Sequence, residues 1–148
     1  WLIGPSETEI ESLKFFASSS SLKSIHFLPY SPSPELYMAA ADVFCLPSHR
    51  EGFGTVIIES AACGIPSIGT KIHGLTDSIV DGQTGFIVDV GDVLSLSNSM
   101  RTLAMDKSLR LNLGNAARTR AHELFDQRLV VPRLTSFLDA ELVAFERK

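Results

Sequence analysis

Residues 42–70 read DVFCLPSHREGFGTVIIESAACGIPSIGT and contain two different patterns. The unbroken apolar run in 42–47 is typical of a strand that is covered on both faces. A helix over residues 55–63 is expected after the EGFG turn, stopping at Gly64, and a second apolar run follows over 65–70. Strand, helix and strand in this order predict a parallel β-α-β unit with a right-handed crossover.

The same alternation of apolar runs and helical patterns continues along the rest of the chain. It predicts an α/β fold, a Rossmann-like parallel sheet with helices on both faces. No linker is long enough to divide the sequence, so we predict a single domain over residues 1–148. Ligands of such sheets bind beyond the carboxyl ends of the strands, which here are the loops after Leu28, Pro47 and Thr70. The strands are predicted at 1–4, 24–28, 42–46, 65–69 and 85–88.

Helical periodicity predicts the elements between and after these strands. The first helix is expected from about Glu7 to Ala17, with Ser6 as its cap, and a short helix over Pro34–Ala41. Three helices are expected after Asp92, the last with Pro132 at or near its first turn. The two before it carry basic residues that we interpret as a solvated face: Arg101, Lys107, Arg110, Arg118 and Arg120.

Composition and charge narrow the classes of partner. A net charge of −4 and a pI near 5.5 argue against nucleic-acid binding, which needs a basic surface. No apolar run approaches the roughly 20 residues that span a bilayer, and the start does not resemble a signal peptide. We therefore expect a cytoplasmic protein. Residues 1–4 read as the middle of a buried strand, and we interpret the chain as a fragment.

The cysteines do not indicate a metal site. Cys45 and Cys63 lie within apolar segments, with no CxxC spacing and no cluster of histidine and cysteine. Neither a zinc site nor a disulfide framework is predicted, and we expect both thiols to be free and buried.

The turn at residues 52–54 is the first candidate binding feature. Gly52 and Gly54 flank Phe53 directly before a predicted helix. Glycines there let the backbone approach a ligand closely, and the N–H groups at the start of a helix favour an anion. A phosphate or diphosphate is the natural ligand, although many tight turns share this short pattern.

Two carboxylates stand beside the turn. Glu51 lies within it, and Glu59 lies about five residues into the helix, where helical side chains lean back toward the N-terminus. Glu59 would accept hydrogen bonds from two vicinal ribose hydroxyls, as an acidic residue does in dinucleotide sites. Glu51 would hold hydroxyls of a sugar beyond the diphosphate. The alternative is that both are solvated, with Glu51 complementing the helix dipole.

The whole segment resembles the signature of the retaining glycosyltransferase family 4. In that signature two glutamates separated by seven residues flank a GFG turn, and a small-residue helix ends in Gly-x-Pro. The next stretch, HGLTDSIVDGQTGFIV over residues 73–88, resembles the following block of the family. The matching residues are Glu51, Gly52, Phe53, Gly54, Glu59, Gly64 and Pro66, then Gly74, Asp77, Gly82 and Gly85.

The resemblance implies a GT-B enzyme with two Rossmann-like domains. This chain would be its C-terminal nucleotide-sugar-binding half, lacking the first strand, with the N-terminal acceptor domain absent. The donor would be an NDP-sugar, UDP- or GDP-linked, with no cofactor and no metal. The activity implied is that of a retaining hexosyltransferase of polysaccharide, capsule or glycolipid biosynthesis. The acceptor would be a sugar or a lipid-linked sugar, and the full enzyme would associate peripherally with the inner face of the membrane. The isolated chain would be inactive.

The resemblance also implies roles for individual residues. Glu51 would be catalytic at the anomeric carbon, as a transient nucleophile or as an orienting group, and Glu59 would bind the ribose. Backbone contacts around Leu28 and Pro29 would hold the base. The sugar and diphosphate would meet the backbone of Gly52, Phe53, Gly54, Thr55 and Val56, with His49 and His73 as further candidates. His73 replaces a common glycine of the family and Asp77 a common glutamate, which leaves the preference for a donor sugar open.

Two other classes remain as alternatives. A non-catalytic nucleotide- or sugar-binding module could use the same half-fold, but loss of either glutamate would have favoured it and both are present. A dinucleotide dehydrogenase needs GxGxxG after its first strand, and Gly4-Pro5-Ser6 does not supply it.

Overall fold

The structure is a computed structural model that describes residues 1–4, 8–20 and 24–146. Parallel strands flanked by helices confirm the predicted α/β class. The chain divides into two compact units, Trp1–Pro34 and Glu35–Lys148. The strands are β1 (Leu2–Ile3), β2 (Phe27–Leu28), β3 (Phe44–Leu46), β4 (Ser67–Thr70) and β5 (Gly85–Val88). The helices are α1 (Thr8–Ser19), α2 (Pro34–Ala39), α3 (Thr55–Ala62), α4 (Leu75–Ser78), α5 (Val93–Met105), α6 (Lys107–Leu124) and α7 (Gln127–Glu146).

The described residues of the first unit form a two-stranded parallel sheet and the helix α1. Leu2 pairs with Phe27 and Ile3 with Leu28, so β1 and β2 run parallel. The prediction of a buried strand over residues 1–4 is wrong, because Leu2 and Ile3 are both exposed in a sheet that gives β1 a single neighbour. The predicted cap and start of α1, Ser6 and Glu7, lie outside the described residues.

The second unit contains a three-stranded parallel sheet in the order β3-β4-β5. Cys45 pairs with Ile68, and Ile68 in turn pairs with Phe86. All five predicted strands form, but their hydrogen bonds divide them between two sheets instead of joining them in one. A parallel sheet extends only where a neighbour supplies the next ladder, and no described strand pairs with the outer edge of β3.

Alternate residues of the central strands face two different helical layers. Phe44, Leu46 and Ile87 pack on a cluster of Ile57, Leu75 and Ile79, which come from α3, α4 and the residue that follows it. Val43, Cys45 and Phe86 pack on the opposite cluster, which includes Leu103 of α5 and Leu113 of α6. Because side chains alternate along a strand and both faces are covered, residues 42–47 carry no polar side chain between Asp42 and Pro47.

Small residues bring α3 and α6 into close contact. Ala61 of α3 forms a buried cluster with Ala117 and Ala121 of α6. A Cβ at Gly114 of α6 would lie 2.1 Å from the carbonyl oxygen of Gly64, just beyond α3, so only glycine fits there. The helix that follows the EGFG turn is therefore fixed firmly against α6.

Two details of the helices differ from the predictions. Helix α7 begins at Gln127, where the Asp126 carboxylate accepts a hydrogen bond from the Arg128 backbone N–H, so Pro132 is the sixth residue inside the helix. Helix α4 was not predicted, because four residues are too few to show periodicity. No helix in the described part of the chain is long and apolar enough to cross a membrane.

The prediction of a wholly solvated basic face is wrong for two arginines. Arg110 donates from Nη1 to the carbonyl oxygens of Leu103, at 2.6 Å, and Ala104, at 2.9 Å, near the end of α5. Its Nη2 lies 3.3 Å from the Asp42 carboxylate. Arg120 is half-buried and bonds to backbone carbonyls of a neighbouring helix. Carbonyls at the C-terminal end of a helix lack partners in the helix, and arginine supplies donors for them.

Candidate functional site

Helix α3 begins at a glycine that no other residue can replace easily. Gly54 is buried and left-handed, with φ 65° and ψ 49°. A Cβ at this position would lie 2.5 Å from Cδ2 of Leu75, so both the backbone angle and the space require glycine. The backbone therefore turns sharply into α3 at this glycine.

The start of α3 also lacks the side-chain cap that the long helices of the same unit possess. Asp92 accepts a hydrogen bond from the Ser95 N–H at the start of α5, and Asp106 accepts one from the Leu109 N–H at the start of α6. Gly54 has no side chain to do this, and no side chain of the described residues caps α3. The first N–H groups of a helix have no intrahelical acceptor, so this start can receive an anionic ligand.

Glu51 is held in place by the end of β4. The Ser48 hydroxyl donates to Oε1 of Glu51 at 2.9 Å, and Glu51 is half-buried. The carbonyl oxygen of Ser48 accepts a hydrogen bond from the hydroxyl of Thr70, the last residue of β4. These two bonds tie the Glu51 carboxylate to the carboxyl end of the sheet, where the topology predicts a ligand.

Glu59 lies on the same helix in different surroundings. It is the fifth residue of α3 and is exposed, whereas Ile57, Ser60 and Ala61 of the same helix are buried. Its carboxylate therefore lies on the solvent side of α3, where a bound ligand could reach it.

A second loop touches the turn directly. Gly74 has φ 92°, and a Cβ on it would lie 2.5 Å from the Gly52 carbonyl oxygen. The backbone after β4 is thus in van der Waals contact with the GFG turn, and glycine is needed for that approach. His73, which precedes Gly74, is exposed, so the structure brings this candidate residue next to the turn.

The other predicted site residues divide between the two units. His49 and Thr55 are exposed and Val56 is half-buried in the second unit. Leu28, the last residue of β2, is half-buried and Pro29 is exposed, and both belong to the first unit. Their role in holding the base stays a prediction.

The space around Gly52 differs from that around Gly54, because a Cβ on Gly52 would meet no atom within 4 Å.

Two residues beside the turn, Phe125 and Arg120, were not predicted as part of the site. The Phe53 ring contacts the ring of Phe125, with centroids 5.6 Å apart, and the Arg120 guanidinium lies 4.9 Å from the Phe125 centroid. A helical wheel could have drawn attention to Arg120, because it lies three residues after Ala117 and directly before Ala121 on the buried stripe of α6. No local pattern indicates Phe125.

A large groove of the second unit lies elsewhere. It has a volume of about 540 Å³ and is lined in part by Lys71, Thr76, Asp81, Asp89 and Asp92. Asp81 accepts a hydrogen bond from the Ile87 N–H, and Asp92 accepts two from Ser95. Two carboxylates of the groove are therefore already engaged in hydrogen bonds within the protein. None of the predicted donor-site residues lines it.

The described residues contain no group of three or more histidine, cysteine, aspartate or glutamate side chains that could hold a metal ion. Both cysteines are free and half-buried, and burial raises the pKa of the Cys45 thiol to about 11.

The fold and the turn together define a class: a parallel α/β domain with an uncapped helix N-terminus and a fixed carboxylate at the carboxyl end of its sheet. Residues 2–120 match the family model described as glycosyl transferases group 1. The chain belongs to this glycosyltransferase family, and its fold is that of the C-terminal domain of a GT-B glycosyltransferase.

One relative is the capsular polysaccharide biosynthesis glycosyltransferase CapM of Staphylococcus aureus. The two are 38% identical over 107 residues, which are 72% of this chain and 28% of CapM. The chain thus spans less than a third of the length of that relative.

Two solved structures resemble the chain closely. Sucrose-phosphate synthase from Thermosynechococcus elongatus has a TM-score of 0.87 at 26% identity, over 97% of this chain and 38% of that protein. HepE of Anabaena, solved in complex with UDP-glucose, has a TM-score of 0.86 at 25% identity, over 94% of this chain and 40% of HepE.

Proposed function

We propose that this chain binds the NDP-sugar donor of a retaining hexosyltransferase, which passes the sugar to an acceptor hydroxyl and keeps its anomeric configuration. The observation that carries the proposal is the start of α3, where an uncapped helix N-terminus stands beside the fixed Glu51 carboxylate. The helix start favours the diphosphate, and the carboxylate accepts hydrogen bonds from sugar hydroxyls. Family membership and the UDP-glucose bound to HepE support this class of ligand.

The donor would extend along the turn. The backbone of residues 52–56 would meet the sugar and the diphosphate, and Glu59 would take the ribose hydroxyls, whereas the contact of Leu28 and Pro29 with the base rests on the resemblance to the family alone. His49 and His73 are exposed beside the turn, as contacts to the sugar require. We propose a UDP- or GDP-linked sugar as the donor, with no cofactor and no metal, because the helix N-terminus and cationic side chains of the full enzyme would balance the diphosphate.

Glu51 would act at the anomeric carbon. Ser48 engages Oε1, so a ligand would meet the other oxygen, Oε2. As the diphosphate departs, positive charge develops on the sugar ring, and a carboxylate held in advance stabilises that charge. We favour a front-face transfer through an oxocarbenium-like ion pair, with Glu51 orienting the sugar.

The acceptor would come from outside this chain. CapM is a capsular polysaccharide biosynthesis glycosyltransferase, which supports a role in polysaccharide assembly. A role in glycolipid assembly, and a place in the cytoplasm or at the inner face of the membrane, are further parts of the proposal. The chain spans less than a third of the length of CapM, and we infer that the residues that bind the acceptor, and further cationic residues that bind the donor phosphates, belong to the rest of the full enzyme. We therefore expect the chain alone to be inactive in sugar transfer.

Calorimetry on the chain with UDP, GDP and ADP, and then with the matching NDP-sugars, tests donor binding. We expect weak binding, with a dissociation constant no lower than about 1 mM, which corresponds to about −4 kcal/mol. Glu59→Gln should weaken it further, and Glu123→Gln, an exposed glutamate of α6, is the matched control. Absence of saturable binding at tens of millimolar nucleotide would contradict the proposal. Binding without transfer in a protein that includes the acceptor domain would favour the non-catalytic module.

A further inference from the structure

The C-terminal end of α6 lies beside both loops of the proposed donor site. It contains Arg120, and Phe125 is the residue that ends the helix. Both are half-buried. The residues assigned above to the sugar, the diphosphate, the ribose and the base include neither of them.

Arg120 holds the end of α4. Its Nη2 donates to the carbonyl oxygen of Asp77 at 2.8 Å, and its Nη1 donates to that of Ser78 at 3.3 Å. These are the last two carbonyls of α4, and no N–H group of the helix donates to them. The C-terminal end of a helix also favours a cation. The other end of this short helix is Gly74, so Arg120 fixes the segment that touches the GFG turn.

The same guanidinium reaches the turn through an aromatic ring. It lies 4.9 Å from the centroid of Phe125, within the range of a cation–π contact. The Phe125 ring in turn meets the ring of Phe53 at 5.6 Å and an angle of 58°, a geometry that aromatic pairs favour. Phe53 is the middle residue of the turn and 40% of its surface is exposed, so the contact with Phe125 restrains a ring that is only partly covered by the protein.

These contacts close a circuit. Arg120 bonds to α4, α4 follows Gly74, Gly74 abuts Gly52, and Phe53 returns through Phe125 to Arg120. A backbone that binds a diphosphate must hold its N–H groups within about half an ångström of the productive geometry. Arg120 therefore restrains two segments. One arm, its hydrogen bonds to the carbonyls of Asp77 and Ser78, holds α4, and the other arm, its contact with Phe125, holds the GFG turn.

We propose that Arg120 is a positioning residue that acts with Phe125 to hold α4 and the GFG turn in the geometry that binds the donor. The consequence for the ligand rests on the proposed function. The restraint on the two loops does not, because it exists in the protein without any ligand.

Amide hydrogen exchange without ligand tests the restraint. Arg120→Gln removes the charge and the cation–π contact, and Arg118→Gln is the matched control, since Arg118 is an exposed arginine on the same helix. We expect exchange to become about tenfold faster or more at residues 52–56 and 74–78 in Arg120→Gln, with β5 unchanged. Arg118→Gln should match the wild type. Equal exchange at both loops in the two variants overturns the proposal, and so does a uniform rise over the whole chain.

Phe125→Leu distinguishes the contact with the turn from the contact with α4. It also tests the proposal if Arg120→Gln does not fold. It removes the aromatic contact and leaves the arginine, so exchange should rise at residues 52–56 and not at 74–78. Arg120→Lys keeps the charge and should recover part of the protection. A rise at both segments in Phe125→Leu would contradict the two-armed arrangement.

Calorimetry with UDP-sugar then connects the restraint to binding. We expect Arg120→Gln to weaken binding about tenfold, and Arg118→Gln by less than about twofold. If the wild type binds no nucleotide, the proposed function fails and exchange alone decides the role of Arg120. If the wild type binds and Arg120→Gln binds equally well, the positioning role fails and the proposed function stands.

Discussion

Glu51 and Glu59 carry the same charge in different surroundings, and this difference predicts different kinetics in an enzyme that contains the chain. Glu59 is exposed on α3 and would contact the ribose equally in the ground and transition states. Glu59→Gln should therefore raise KM for the donor and leave kcat nearly unchanged. Loss of one charged partner suggests about 1.5–3 kcal/mol, or roughly ten- to a hundredfold.

Glu51→Gln should instead lower kcat. The Glu51 carboxylate, fixed by Ser48, would stabilise positive charge that develops only in the transition state. Steady-state kinetics on both variants, with circular dichroism as the check on folding, distinguishes the two roles. A Glu51→Gln enzyme with wild-type kcat and only a raised KM would show that Glu51 anchors the donor and does no more.

At the scale of residues, the sequence predicts those features of the site that are formed by residues close together along the chain. The GFG turn, the helix after it and Gly64 as its end could all be predicted from 48–70. The link from Thr70 through Ser48 to Glu51 could not, because it joins residues 22 positions apart. The contact of Phe53 with Phe125 was missed for the same reason, and Arg120 was misread because charge alone was taken to mean solvent exposure.

At the scale of elements, the cap of α5 predicts a dependence of stability on pH. The Ser95 hydroxyl and N–H both donate to Asp92, and the side-chain bond is the main reason that the pKa of Asp92 is lowered. A carboxyl with a lower pKa in the folded than in the unfolded state stabilises the fold above its ordinary pKa. That contribution is lost as pH falls through the lower, folded-state pKa.

Asp92→Asn removes this ionisation and keeps an acceptor for the Ser95 N–H. We expect a slightly lower Tm near neutral pH and a shallower decline of Tm between about pH 5 and about pH 2. Thermal unfolding of both proteins across that range provides the measurement. Ser95→Ala removes the main cause of the shift, so replacing Asp92 should matter less in that background. An identical acid profile for wild type and Asp92→Asn would mean that the ionisation of Asp92 contributes nothing to stability.

Element types could be predicted from periodicity, but several element ends could not. The strand centres at 44–46, 67–70 and 85–88 were correct because both faces of the sheet are covered and apolar side chains run without interruption. The start of α7 was predicted too late because Pro132 was placed at or near the first turn, where proline is common but not required. The helix starts earlier because Asp126 caps it. Four-residue α4 leaves no periodic trace at all.

At the scale of the whole molecule, composition and alternation gave the α/β class, and the resemblance supplied the family. Neither revealed that the hydrogen-bonded strands form two sheets, because strand order depends on which edges meet and not on local sequence. The prediction of a single domain over residues 1–148 stays a prediction, as do retention and the roles of Glu51, Glu59, Leu28 and Pro29.

The two glycines of the turn would behave differently in a library that samples every amino acid at each position. Position 54 has a left-handed backbone and no room for a Cβ. If cells that express the library are sorted for the amount of folded protein, glycine should be retained there. Position 52 has open space and no positive φ, so the same sort should accept many residues. In a full enzyme that contains this chain, sorting for sugar transfer should restore glycine at 52, because there the bulk of the bound donor, and not the fold, would exclude a side chain. Free variation at 52 under both sorts would place the donor away from this turn.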